Sequence, residues 1–396
     1  MRTAEETGPA FAATIQQGLA MCSRHEHVQA VVARLNAGEH MPEVKLGGSL
    51  IGKTGIADVV TPLKENLHVR HVNLASNGLN EFGATQIAQV LKLSTGLRSL
   101  SLDDNSIKSV GAEELAKALQ ANSHLHTLHL SCNRIDDAGC RRLAKALTVN
   151  RTVHSLHLDR NNAGDEFGIE MGKTIMLNNT LRMLDLGDND IQVTGACALA
   201  KALCNNGSLT RLNLSRNNMG NEGACQMAAM LSTNTSLQHL AMSWNTISDP
   251  GAHDLAEVLK FNKTLQTLDM GDNRISSAGA TDLARALDVN QGLHALMLSG
   301  NGIAGPGAQE IAQALHGNDT LQELQVAWNC IVEHGAKGLA DTLYVNTTLT
   351  SLDMSANGIG KEGASHVARA LSNNTTLKVR IRCGMSQGSL PHACLC

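Results

Sequence analysis

One asparagine returns every 28 residues through most of this chain. Asn77, Asn105, Asn133, Asn161, Asn189, Asn217, Asn245, Asn273, Asn301, Asn329 and Asn357 keep that interval without a break, each closing a short segment such as LASN, LDDN, LSCN or MSWN. One more unit fits upstream, with Val44, Lys45 and Leu46 as its strand and Ser49 in the asparagine position, which gives about twelve units. A fixed period of this length removes the two or three compact domains that 396 residues would otherwise suggest.

Within a unit the hydrophobic period changes once. Leu125, Leu128, Leu130 and Asn133 spell L-x-x-L-x-L-x-x-N, and the alternation about Leu128 and Leu130 predicts a short strand with one buried face. After Gly139, the apolar residues Leu143, Ala144, Ala146 and Leu147 recur at helical spacing, and Asn150 is expected to close the helix in a left-handed conformation. A lone strand and helix cannot bury their apolar faces, so the units must stack. The prediction is an α/β solenoid, a horseshoe with a parallel sheet on its concave face and helices on its convex face, because helices are wider than the ~4.8 Å between strands. Ala88, Ala116, Ala144, Ala200, Ala228, Ala256, Ala284, Ala312, Ala340 and Ala368 share one column, where small side chains let helices approach the sheet. The repeated asparagine is expected to satisfy backbone groups that the turn leaves unpaired. Residues 1–43, with a helical run through Val28, Val31, Val32 and Leu35, read as an N-terminal cap on the first strand edge. Residues 44–378 form the array, and 379–396 a degenerate end and flexible tail, since Val379 and Ile381 fall one place off the leucine columns.

The full pattern, L-x-x-L-x-L-x-x-N-x-I-x-x-x-G-A-x-x-L-A-x-A-L-x-x-N, resembles the ribonuclease-inhibitor-like class of leucine-rich repeats and is similar to the repeat tails of NOD-like receptors. The resemblance covers residues 44–378 and implies fold far more than function. The activity of ribonuclease inhibitor is not carried over, because that protein alternates two cysteine-rich repeat types and this array is uniform. The first 43 residues are too few for the nucleotide-binding domain of a NOD-like receptor. Segments such as LDLGDND, LDMGDNR and LDMSANG recur every third unit, which points to growth by copying blocks of three.

Composition narrows the function. A net charge of −4 without a basic stripe argues against nucleic acid, and no stretch approaches the ~18 apolar residues of a membrane span. Glu5 and Glu6 stand where a secretory signal carries positive charge, and the ten cysteines show no framework spacing; a cytoplasmic monomer with reduced thiols is expected. The sequons at Asn150, Asn178, Asn206, Asn234, Asn262, Asn318 and Asn346 are all the helix-ending asparagine of the repeat. The ending Cys394, Leu395, Cys396 resembles a prenylated C-x-C terminus, but nothing else in the chain resembles the GTPases that carry it.

The segment from Gly47 to Thr54 satisfies G-x-x-x-x-G-K-[ST], a phosphate-loop pattern. The same loop recurs from Gly358 to Gly363 in register with the repeat, Gly360 standing in the place of Gly52, so turn geometry already accounts for it, and no cofactor is expected. His129 and His157 occupy equivalent positions on neighbouring strands, with Cys132 and Asp159 nearby, but repetition alone produces that adjacency and no metal is assigned. The strongest candidates lie on the expected concave face. Trp244 and Trp328, the two tryptophans, both precede the repeated asparagine, three strands and about 14 Å apart. Arg160, Arg211 and Arg216 lie beside Asp159, Asp185 and Asp188, and Asp269 and Asp272 add negative charge. With His129 and His157 these residues are expected to form a protein-binding face. The reading is a non-catalytic protein-interaction scaffold. The alternative is an activator of a small GTPase, since the Ran GTPase-activating protein has similar repeats, although the tail here lacks that family's acidic segment.

Overall fold

A computed structural model describes residues 23–380, with side chains placed through residue 377. The calls on residues 1–22, on Ile381 and on Cys394 and Cys396 lie outside the described residues. Two compact units divide the chain, Met1–Asn162 and Ala163–Cys396.

In the first unit a helix over residues 23–36, α1, buries Val28, Val31, Val32 and Leu35. Its His27 reaches the Lys45 carbonyl at 3.1 Å. Five strands follow, β1 (Glu43–Lys45), β2 (His71–Asn73), β3 (Ser99–Ser101), β4 (Thr127–His129) and β5 (Ser155–His157), interleaved with α2 (Gly52–Glu65), α3 (Asn80–Leu93), α4 (Lys108–Ala121) and α5 (Asp137–Leu147). The strands pair parallel in chain order, with Val72 opposite Leu100 and Leu100 opposite Leu128, so each unit's central apolar residue stacks on the next. Leu128 and Leu130 are fully buried. Each such side chain contributes about 1.5–3 kcal/mol relative to exposure.

The second unit repeats the arrangement. Its strands are β6 (Met183–Asp185), β7 (Arg211–Asn213), β8 (His239–Ala241), β9 (Thr267–Asp269), β10 (Ala295–Met297), β11 (Glu323–Gln325), β12 (Ser351–Asp353) and β13 (Lys378–Arg380). Its helices are α6 (Asp165–Leu177), α7 (Val193–Leu203), α8 (Gly220–Leu231), α9 (Asp249–Leu259), α10 (Ser277–Leu287), α11 (Ala304–Leu315), α12 (Val332–Leu343) and α13 (Gly360–Leu371). The strands are again parallel and in chain order. Leu352 pairs with Val379, so the last interval is one residue short and β13 still forms. Each unit is thus a run of leucine-rich-repeat solenoid, parallel strands alternating with helices. The alanine column is buried except at Ala368, on the terminal helix α13. Phe167, fully buried, fills the column that is glycine at Gly139 and Gly195. Gly168 then makes the close approach instead: a Cβ there would lie 2.7 Å from Gly195 Cα.

Two asparagine ladders stitch the stack. In the first, the side-chain amide of Asn105 donates to Leu74 O and Leu102 O, both at 2.9 Å, while its Oδ1 accepts from the N–H groups of Asn77 and Leu79 in the preceding repeat. Asn273 does the same in the second unit, donating to Met242 O and Met270 O and accepting from Asn245 and Ile247. The second ladder runs along the helix ends. Asn234 donates to Leu203 O at 2.7 Å and Asn206 O at 3.0 Å, and accepts from the N–H of Leu237. Asn122, with φ −84 and ψ 129, and Asn178, with φ −98 and ψ 123, are extended, and none of the described helix-ending asparagines has a left-handed backbone. An extended backbone turns the amide inward to bridge two repeats, which a left-handed cap does not do. The seven sequon asparagines are all buried in this ladder. Among the described cysteines, Cys132, Cys140, Cys197, Cys204 and Cys225 are free thiols.

No helix among the described residues is long and apolar enough to cross a membrane.

Candidate protein-binding face

The residue before each ladder asparagine has a left-handed backbone. In the first unit Ser76, Asp104, Cys132 and Arg160 have φ between 52 and 57, and in the second Asp188, Arg216, Trp244, Asp272, Trp328 and Ala356 lie between 51 and 57. Only Gly48 and Gly300 in this column escape the Cβ clash that the conformation imposes. Backbone pairing with the following repeat enforces it: the N–H groups of Arg216, Trp244 and Trp328 donate to Ser243 O, Gly271 O and Ser355 O at 2.7, 3.0 and 3.0 Å. Trp244 and Trp328 therefore stand in the turn just after the strand rather than on the strand itself.

In the second unit three members of this column form one stack across successive repeats. The Arg216 guanidinium lies 4.6 Å from the centre of the Trp244 ring, a cation–π arrangement. Asp272 takes a hydrogen bond from Trp244 on the other side. Removal of the Asp272 carboxyl from water pushes its pKa up, against the opposing pull of that hydrogen bond and of Arg216. Trp244 nonetheless keeps 48% of its surface exposed. Trp328 is 41% exposed, but its column neighbours are Gly300 and Ala356, which offer neither a cation nor an acid.

A shallow depression of about 220 Å³ opens on the same unit's sheet face over β6 to β9. Ala241 lies on its floor, a small residue between Asn213 and Asp269 on the flanking strands, with Asp185 one strand further. The acids on its walls are internally satisfied. Asp185 accepts from Gly187 N–H at 3.1 Å and from the Asn213 amide at 2.8 Å. Asp269 accepts from Gly271 N–H at 2.9 Å and from the Ser243 hydroxyl, and burial still pushes its pKa up. His239 meets the Thr267 hydroxyl at 3.0 Å, and burial, then the Arg211 charge, lowers its pKa. Arg211 is exposed and forms no ion pair or side-chain hydrogen bond among the described residues. It is not the partner of Asp185, although the sequence sets the two on neighbouring strands.

The remaining candidates, Arg160, His129 and His157, belong to the first unit. His129 and His157 stack at 4.2 Å with planes 18° apart, and His126 and His154 meet edge-on at 5.2 Å. Face-to-face imidazoles do not converge their nitrogens on one point. Burial lowers the pKa of His126, His129 and His157, and for the first two the neighbouring histidine adds to the effect. The Arg216–Trp244–Asp272 stack and the Ala241 depression were both latent in the sequence, as residues 28 positions apart in single columns.

Strand, turn and helix in a fixed register define a protein of leucine-rich repeats. Eight stretches match the leucine-rich-repeat family model: residues 94–116, 121–144, 177–200, 205–224, 233–256, 261–284, 289–312 and 345–368. No curated protein matches significantly. Among solved structures the chain is similar to the actin-binding site 2 of leiomodin-1, at 25% identity over 39% of this chain and 88% of that one, with a TM-score of 0.34. It is similar to the Rad7 and Elc1 complex in yeast at 12% identity over 96% and 99%, TM-score 0.46. A third similarity is to the tropomodulin C-terminal domain of Caenorhabditis elegans, at 14% identity over 39% and 92%, TM-score 0.32.

Proposed function

We propose that the protein is a non-catalytic scaffold that binds another protein on the open face of its sheet. Trp244 carries the reading. It offers a large amphipathic surface to solvent while Arg216 and Asp272 hold its ring in one orientation. Ordering such a side chain beforehand lowers the entropic cost of association, and tryptophan is a favoured interface anchor. The acids of this face accept N–H and hydroxyl donors of the chain itself, an arrangement suited to recognition by shape and charge. Repeat stacks use such extended surfaces for binding. A full helix of 11 to 14 residues in each unit supports placing the repeats in the ribonuclease-inhibitor-like class.

The test is affinity capture from lysate with the wild-type protein and with a Trp244→Gly, Trp328→Gly double variant. Glycine suits the left-handed backbone at both sites, so the fold is kept. Loss of a captured protein from the variant, at unchanged thermal melting, is the expected result. Retention of every captured protein would refute the reading.

A further inference from the structure

Resting on that reading, we infer that the depression over Ala241 receives one apolar side chain of a polypeptide partner, and that an acidic residue next to it in the partner's sequence pairs with Arg211. Size comes first. At about 220 Å³ the depression is smaller than the ~300–1,000 Å³ of sites that enclose a small-molecule ligand, and matches a single side chain.

Charge follows from an account of donors and acceptors. A group desolvated by a partner must find its hydrogen-bond partners in the complex. Around the depression Asp185 and Asp269 each accept two donors from this chain, and His239 is occupied by Thr267. Arg211 alone brings a guanidinium whose donors are unspent. Its depressing effect on the pKa of His239 shows that its charge is felt at the depression. A carboxylate fits the planar fork of Arg211 in two parallel bonds. A cationic partner would instead leave Arg211 unpaired and compete for carboxylates that already hold two donors. Trp244, half exposed, stands in the turn that follows β8, three residues after Ala241.

The experiment selects a phage-displayed library of random peptides on the intact wild-type protein, then titrates the enriched sequences as synthetic peptides. Enriched peptides are expected to carry Asp or Glu within two residues of Leu, Phe or Met. Their affinity is expected to fall on the order of tenfold or more for Arg211→Ala and for Ala241→Trp, which fills the depression. Selection on Arg211→Glu is expected to change the enriched charge from acidic to basic. Arg211 is exposed, so its variants keep the fold even where Ala241→Trp does not. Enrichment of peptides with no acidic residue, affinities indifferent to Arg211, or no enrichment at all overturns the inference. If any of these accompanies a capture that still depends on Trp244 and Trp328, the scaffold reading stands and only the acidic–apolar subsite falls.

Discussion

Replacing Asn273 by alanine tests whether the amide ladder holds the repeats together. Asn273 is buried, and its Oδ1 takes the N–H groups of Asn245 and Ile247 at 3.0 Å each, while its amide donates to Met242 O, Met270 O and Gly271 O. Alanine strands the two donors inside the stack, and each buried donor left unpaired costs about 1–3 kcal/mol, so the expected loss is roughly 2–6 kcal/mol before any cavity term. Leucine restores the volume but not the bonds, and Asn273→Leu is expected to cost about as much. Arg274→Ala, one residue away and exposed, is expected to stay within about 0.5 kcal/mol. The assay is urea unfolding followed by circular dichroism at the helix band. Because a stack of repeats couples only neighbours, a lesion in its middle is also expected to broaden the transition. A loss at Asn273 no greater than that at Arg274 would refute the reasoning.

Other outcomes follow from the same geometry. Trp244→Gly exchanges a cation–π contact for relief of a left-handed tryptophan, terms of about 1 kcal/mol each, so thermal melting is expected to move little while binding is lost. Burial raises the pKa of Asp269, so its ionised form is disfavoured in the folded chain, and stability falls as pH rises through the range between its unfolded and folded values. Asp269→Asn, which keeps an acceptor for Gly271, is expected to leave stability unchanged or raise it at neutral pH, as urea midpoints will report. Burial lowers the pKa of His129 and His157 below 6.5, so the unfolded chain takes up protons first and stability falls as pH drops through that value. The double change His129→Gln, His157→Gln is expected to flatten this slope in urea unfolding run at stepped pH; an unchanged slope would refute the assignment.

Much of the fold was written in the sequence. The 28-residue spacing fixes the register that sets His71 opposite Ser99 and Arg211 opposite His239, and the buried asparagine does the backbone work its recurrence implied. What escaped was conformation imposed by neighbours. Nothing in Arg216 or Trp244 announces a left-handed backbone; pairing with the next repeat overrides local preference, and only Gly48 and Gly300 in that column hint at it. Asn150 looks like a helix cap by position, yet its side chain serves the adjacent repeat, donating to Leu119 O and Asn122 O. Phe167 breaks the glycine column without breaking the stack, because Gly168 supplies the close contact. At the candidate face the sequence grouped arginines with the nearest aspartates, whereas Arg216 turns to Trp244 and Arg211 stays unpaired. Column order was legible; which side chains met within a column was a matter of rotamers.

The central claim is that the partner sits on the strands. A photo-cross-linking amino acid placed at position 297, on β10, and in a separate protein at position 309, on α11, tests it most directly. The account predicts a covalent adduct with a captured protein from position 297 and none from position 309. Adducts from position 309 alone would put the partner on the helices and contradict it.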